Sequence, residues 1–110
     1  MLAHITTAQV QPDKTDDVIR VFQDVLAVAA VEQQGFGGIT LFTDAKTGRV
    51  MSVSLWLTEA DLISAASSPA EQEQLVKVKE FLAGPIVREV YEVSVQVEMT
   101  EQGRARMRGI

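Results

Sequence analysis

The sequence predicts an α+β domain of the ferredoxin-like βαββαβ kind, with an antiparallel sheet. Three observations predict it. The order of strand-like and helix-like segments is strand, helix, strand, strand, helix, strand. The third strand alternates strictly over nine residues, from Arg49 to Leu57. Two helix-capping signatures, Thr58-Glu59-Ala60-Asp61 and Ser68-Pro69-Ala70-Glu71, follow that strand.

The elements follow in order. Residues 3–10 are short and β-branched and read as the first strand, which Pro12 and Asp13 end. Val18, Phe22, Val25 and Ala29 then recur at helical spacing, with Ile19, Leu26 and Ala30 widening the apolar stripe. Asp13, Asp16 and Asp17 crowd the helix start, where the helix dipole favours negative charge. Gly35 suits a left-handed helix cap. Gly38–Thr43 alternates as a second strand, and Asp44-Ala45-Lys46-Thr47-Gly48 is turn chemistry that makes a hairpin with the third. A short helix begins after Thr58 and a longer one after Ser68, the latter carrying Leu75, Val78, Phe81 and Leu82. Gly84-Pro85 stops it, and Val87–Met99 reads as one last strand. Residues 1–100 are expected to form the domain. Residues 101–110, with Arg104, Arg106 and Arg108, are expected to be a flexible tail.

Bulk properties exclude several function classes. The chain of 110 residues fits one domain. Its formal net charge of −5 argues against nucleic acid, which needs a basic surface. With no cysteine, a disulfide, a thiolate metal site and a cysteine nucleophile are excluded. His4 is the only histidine, so no site can draw two imidazoles from one chain. No secretory signal and no membrane-spanning apolar run is visible, and a cytoplasmic protein is the expectation. Gly35-Phe36-Gly37-Gly38 leads from a helix into a strand, the reverse of a dinucleotide-binding turn. Glu59 and Asp61, like Asp13, Asp16 and Asp17, sit at helix starts, where capping accounts for them without a metal.

Right-handed crossovers place both helices on one sheet face and leave the other uncovered. Along the third strand, Met51, Val53, Leu55 and Leu57 form a wholly apolar side, opposite Val50, Ser52, Ser54 and Trp56. The expectation is that the first set meets the helices. The second set, with Phe42 or Leu41 of the second strand, is then the open face. Two such faces paired in a homodimer would close an α/β barrel, with Ser52, Ser54 and Trp56 lining a cavity between the sheets.

These residues carry a family resemblance. Gly35-Phe36-Gly37-Gly38-Ile39-Thr40-Leu41-Phe42, Ser54-Leu55-Trp56-Leu57-Thr58-Glu59-Ala60-Asp61-Leu62 and Ser67-Ser68-Pro69 are similar to motifs of the antibiotic biosynthesis monooxygenases. The resemblance covers about residues 3–99. It implies a dimeric α/β barrel, and either cofactor-independent monooxygenation of phenols and quinols, haem degradation or an uncharacterised role. Where the quinol-oxidising branch carries a histidine, this chain has Ala65. Where the haem-degrading branch carries its asparagine, tryptophan and ligating histidine, it has Thr6, Ala65-Ala66 and Leu75-Val76. The haem reading thereby loses its ligand.

The candidate site is accordingly His4, Trp56, Phe42, Ser52, Ser54 and Tyr91. His4 fits a base that deprotonates a phenol, and equally a solvated histidine near the terminus. Trp56 fits a wall that stacks on a planar aromatic ligand, and equally a dimer-core residue. Tyr91 fits a hydrogen-bond donor to a substrate oxygen, and equally a structural strand-end residue. No cofactor and no metal are expected. Two functions survive: a cofactor-free oxygenase acting on a small planar phenol or hydroquinone, and a non-catalytic dimeric barrel binding a small apolar ligand.

Overall fold

A computed structural model of the chain describes residues 1–99 and 105–109. Strand β1 (Leu2–Gln9) leads to helix α1 (Thr15–Val21), which continues through a π-helical turn (Phe22–Leu26) into α2 (Ala27–Ala30). Strands β2 (Phe36–Asp44) and β3 (Arg49–Trp56) follow, then helices α3 (Glu59–Ala66) and α4 (Pro69–Lys79), then β4 (Val87–Glu92), β5 (Val95–Met99) and β6 (Ala105–Gly109). The main sheet has the order β2-β3-β1-β4, antiparallel throughout. This is the predicted α+β, ferredoxin-like arrangement.

Both capping signatures work as expected. Thr58 accepts the Asp61 backbone N–H at 3.1 Å. Ser68 accepts that of Glu71 at 3.3 Å, with Pro69 opening the helix. The left-handed glycine also forms, with φ +76° at Gly35. It stands five residues beyond α2, so it turns the chain into β2 rather than capping the helix. A Cβ at Gly35 would strike the Asp61 side chain, and its carbonyl accepts from Leu57 N at 2.8 Å. The residue thus couples the start of β2 to the end of β3.

The end of the chain differs from expectation. The last strand breaks at Val93-Ser94, and β5 forms a separate two-stranded sheet with β6, Val95 opposite Gly109 and Met99 opposite Ala105. Residues 105–109 of the expected tail are therefore strand. Residues 101–104 and 110 lie outside the described residues. Alternation of valine with polar residues from 93 to 99 carries strand propensity but not the identity of the partner strand.

The main correction concerns the sheet faces. Val50, Ser54 and Trp56 are buried at 7%, 7% and 5% exposure, because their side of β3 faces the helices. Val50 packs with Val10 and Val18, and Trp56 packs with Leu62 and Ala65. The other side, with Met51, Val53 and Leu55, is uncovered in the single chain and only partly buried. Alternation separates two sides but does not name them. Crossover handedness, acting on the parity of each strand, decides which side meets the helices. A cavity between the sheets of a dimer lined by Ser52, Ser54 and Trp56 is thereby excluded, since that side is already under its own helices.

Read along its buried side, β3 runs Val50, Ser52, Ser54, Trp56. An apolar cluster closes each end, and two serines lie between. Phe81 and Leu82 close the Val50 end further, and Leu2 and Phe36 close the Trp56 end. The space between the two clusters is where the side chains are smallest and most polar.

Candidate functional site

The cavity lies between sheet and helices, at the middle of β1 and β3. Cross-strand pairing sets its floor. His4 stands opposite Ser54, and Thr6 opposite Ser52, so the four side chains share one side of the sheet. Ile39, opposite Ser54 on β2, joins them. The roof comes from small helix residues, Ala29 and Ala30 of α2, Ala65 and Ala66 of α3 and Ala70 of α4, with Glu71 and Gln74. Alanines facing serines leave unfilled volume, about 50 Å³.

A second lobe of about 90 Å³ continues towards the Val50 cluster, and it is apolar, lined by Ala8, Val18, Phe22, Leu41, Val50, Leu75 and Val78 among others. Thr6, Ser52, Glu71 and Gln74 border both lobes. They form a polar septum across one elongated cleft. Together the lobes approach the roughly 150 Å³ that holds a benzene ring, whereas the polar lobe by itself holds only water-sized groups.

Trp56 closes the polar end. Its indole N–H donates to Ser54 Oγ at 2.9 Å, and Phe36 meets its ring edge-on, centroids 5.6 Å apart at 64°. Burial lowers the pKa of His4 below its ordinary 6.5, and the positive charge of Arg88 lowers it further. The imidazole is therefore unprotonated at neutral pH and free to accept a proton. Glu71 moves the other way. Burial raises its pKa above 4.5, opposed by the smaller attraction of Arg88. Gln74 is 2% exposed, and its side-chain Nε2 has no hydrogen-bond partner.

The structure thus brings together four of the six predicted site residues, His4, Ser52, Ser54 and Trp56. It separates the other two. Phe42 stands opposite Met51, and Tyr91 opposite Ala3. Both lie on the uncovered side of the sheet, where each is 52% exposed. Of the neighbours Leu41 and Phe42, it is Leu41 that faces the cavity, on the same side of β2 as Ile39. The Tyr91 hydroxyl donates to the Glu89 carboxylate, and that bond, with the charge of Glu89, raises its pKa. Tyr91 is therefore held as a neutral phenol by its neighbour on the same strand.

Sequence reasoning missed Glu71, Gln74 and Arg88. Ala70, Gln74 and Val78 recur at four-residue spacing, so a glutamine on the inward stripe of α4 was a readable signal. Arg88 carried none, since only pairing with β1 places it beside Thr6. Among the described residues, no group of three or more His, Asp or Glu could hold a metal ion. Nor is any helix among them long and apolar enough to cross a membrane.

The sequence profile of the antibiotic biosynthesis monooxygenase family matches residues 1–74. The chain belongs to that family. Among solved structures, this family member is similar to SnoaB, a cofactor-independent oxygenase from Streptomyces nogalater. The identity is 14% and the TM-score 0.72, over 84% of this chain and 91% of SnoaB. It is also similar to a Caulobacter crescentus protein assigned to the same family, at 21% identity and TM-score 0.74, over 84% and 88% of the two chains. Rv0793 from Mycobacterium tuberculosis matches at 17% identity and TM-score 0.71, over 84% and 93%. At these identities the likeness shows the fold. No curated protein matches the chain.

Proposed function

We propose that this antibiotic biosynthesis monooxygenase family member oxidises a small planar phenol or hydroquinone with O₂ and without a cofactor, inside the sheet–helix cavity. The observation that carries the reading is the convergence of His4, Ser52, Ser54 and Trp56 on one cavity, with the imidazole kept unprotonated by burial and Arg88. His4 takes the phenolic proton. The electron-rich anion then reduces O₂: one oxygen atom becomes the new ring carbonyl, the other leaves as water, and the substrate supplies all four electrons. The serines hydrogen-bond ring oxygens, and Trp56 supplies a flat apolar wall. General-base assistance of this kind is worth about 10²–10⁴-fold.

Oxygen uptake by the purified protein across a panel of hydroquinones and anthrones tests the reading. His4→Ala is expected to lower turnover by about 10²-fold or more, and Trp56→Ala to act mainly on binding. Uptake unaffected by His4→Ala keeps the enzyme and removes the base. The apolar lobe of about 90 Å³, lined by Val18, Phe22, Leu41 and Val78 among others, favours a second reading, a non-catalytic domain that binds a small apolar ligand. No uptake above the uncatalysed rate on any substrate would make that the better account.

We further propose a homodimer. Its basis is the uncovered sheet side with Ile5, Met51, Val53 and Leu55, bordered by exposed Phe42.

A further inference from the structure

A polar groove of about 530 Å³ lies between α4 and the chain that returns from it into β4. Leu75 and Lys79, four residues apart, face it from one side of α4, and Gly84 and Arg88 face it from the returning chain. That chain is held in place. Ala83 N donates to Gln9 O at 2.7 Å, and Gln11 Nε2 donates to Leu82 O at 3.0 Å. Two cations thus border a fixed groove, and no aspartate or glutamate lines it. Among the described residues the ion pairs are Arg20–Asp17 and Lys77–Glu73, so neither Lys79 nor Arg88 is paired with a carboxylate. The Gly84 backbone N–H donates to no carbonyl among them either. In a chain of net charge −5, two unopposed cations and an open N–H around one groove reverse the sign locally.

We propose that this groove binds a doubly charged oxyanion, held between Lys79 and Arg88 and carried on a small polar molecule. Arginine offers a planar fork that takes two oxygens of one anion, and lysine a mobile point charge. The volume is that of an ordinary small-molecule pocket, well beyond a bare ion. Both cations are exposed, so water screens them and the affinity is about millimolar. A phosphomonoester and a dicarboxylate share the required chemistry. The site lies outside the sheet–helix cavity and is independent of the oxygenase reading. Arg88 nevertheless borders the apolar lobe as well. His4, Glu71 and Arg88 are the titratable groups that line the two lobes. Burial is the larger cause of the depressed His4 pKa, and the Arg88 charge the second. An anion that offsets this charge therefore raises the His4 pKa, and that of Glu71 with it.

The probes are glycerol 3-phosphate and succinate, with glycerol and sodium chloride at matched ionic strength as controls. The readout is the backbone amide NMR shifts of Gly84 and Ile86, which line the groove. Saturable shifts are expected with at least one charged probe and with neither control. Tighter binding of the first probe assigns a phosphate ligand, and of the second a carboxylate ligand. Lys79→Gln and Arg88→Gln should each weaken binding by about fivefold. Lys77→Gln makes the same change of charge on the same helix, but Lys77 is paired with Glu73 outside the groove. It should leave binding unaltered. A second readout uses His4, the only histidine, whose imidazole titration is followed by NMR. Sulfate, doubly charged throughout that titration, should raise the His4 pKa relative to chloride, and Arg88→Gln should abolish the difference. No saturable shift with either probe overturns the proposal, as does equal loss of binding in Lys77→Gln and Lys79→Gln. Saturable sulfate binding with an unmoved His4 pKa would place the anion away from Arg88 and overturns it too.

Discussion

The indole N–H of Trp56 donates to the hydroxyl of Ser54 at 2.9 Å, two residues back on the same side of β3. Both residues are less than one-tenth exposed. The bond satisfies a buried donor and fixes the ring at the end of the cavity. It also leaves the Ser54 hydroxyl proton free to be donated into the cavity. Ser54→Ala should therefore strand the indole N–H and cost about 1–3 kcal/mol of stability, measured by urea unfolding. In a double-mutant cycle with Trp56→Phe, the second substitution should recover part of that loss. Additive losses would mean the bond does not couple the two residues.

His4 and Glu71 should give stability opposite slopes with pH. Folding depresses the His4 pKa below 6.5, so between the two values the unfolded chain binds more protons. Stability then falls as pH drops through 6.5 and levels off below the folded value. Folding raises the Glu71 pKa above 4.5, so the folded chain binds more protons in that window. Its contribution is present in acid and is lost as pH rises through the raised value. Melting temperatures from pH 4 to 8 should show His4→Phe removing the first slope and Glu71→Gln the second.

If His4 is the base, its depressed pKa also places the acid limb of kcat/KM. Activity should persist below pH 6.5 and fall only where the folded imidazole protonates. An acid limb above 6.5 would assign the ionisation to another group.

Gly48 is expected to resist substitution. Its φ is +76°, and a Cβ would lie 2.6 Å from the Val10 carbonyl oxygen, while its own carbonyl accepts from Val10 N at 2.7 Å. The left-handed backbone by itself costs a substituted residue about 1–2 kcal/mol, and the clash adds to it. Gly48→Ala should lower the melting temperature by several degrees. Gly84→Ala, with nothing within 4 Å of the added atom, should leave it nearly unchanged.

The uncovered sheet side should govern assembly and not the cavity. Sedimentation equilibrium is expected to give twice the 12.0 kDa chain mass, and Val53→Lys to return the protein to a monomer. Phe42→Ala and Tyr91→Phe, on that side, should leave ligand binding by the cavity unaltered. A monomer at all concentrations would sink the dimer.

Local chemistry made the elements legible. Ser68-Pro69 and Thr58 place two helix starts because a hydroxyl two or three residues before a free N–H caps it whatever the surroundings. Strict alternation on β3 grouped Ser52, Ser54 and Trp56 on one side, and a lone histidine drew notice by its chemistry. Which side of the sheet lies under the helices was not local. It depends on crossover handedness acting on strand parity, and the more apolar side proved to be the uncovered one. Register, too, was beyond the sequence. It sends Phe42 away from the cavity and Leu41 into it, puts His4 across from Ser54, and draws Arg88 close enough to act on His4 and Glu71. The sequence determined the residues able to make a polar pocket. Only the tertiary structure decided that the pocket opens between sheet and helices, because small side chains leave volume only where alanines of three helices are brought over two serines of one strand.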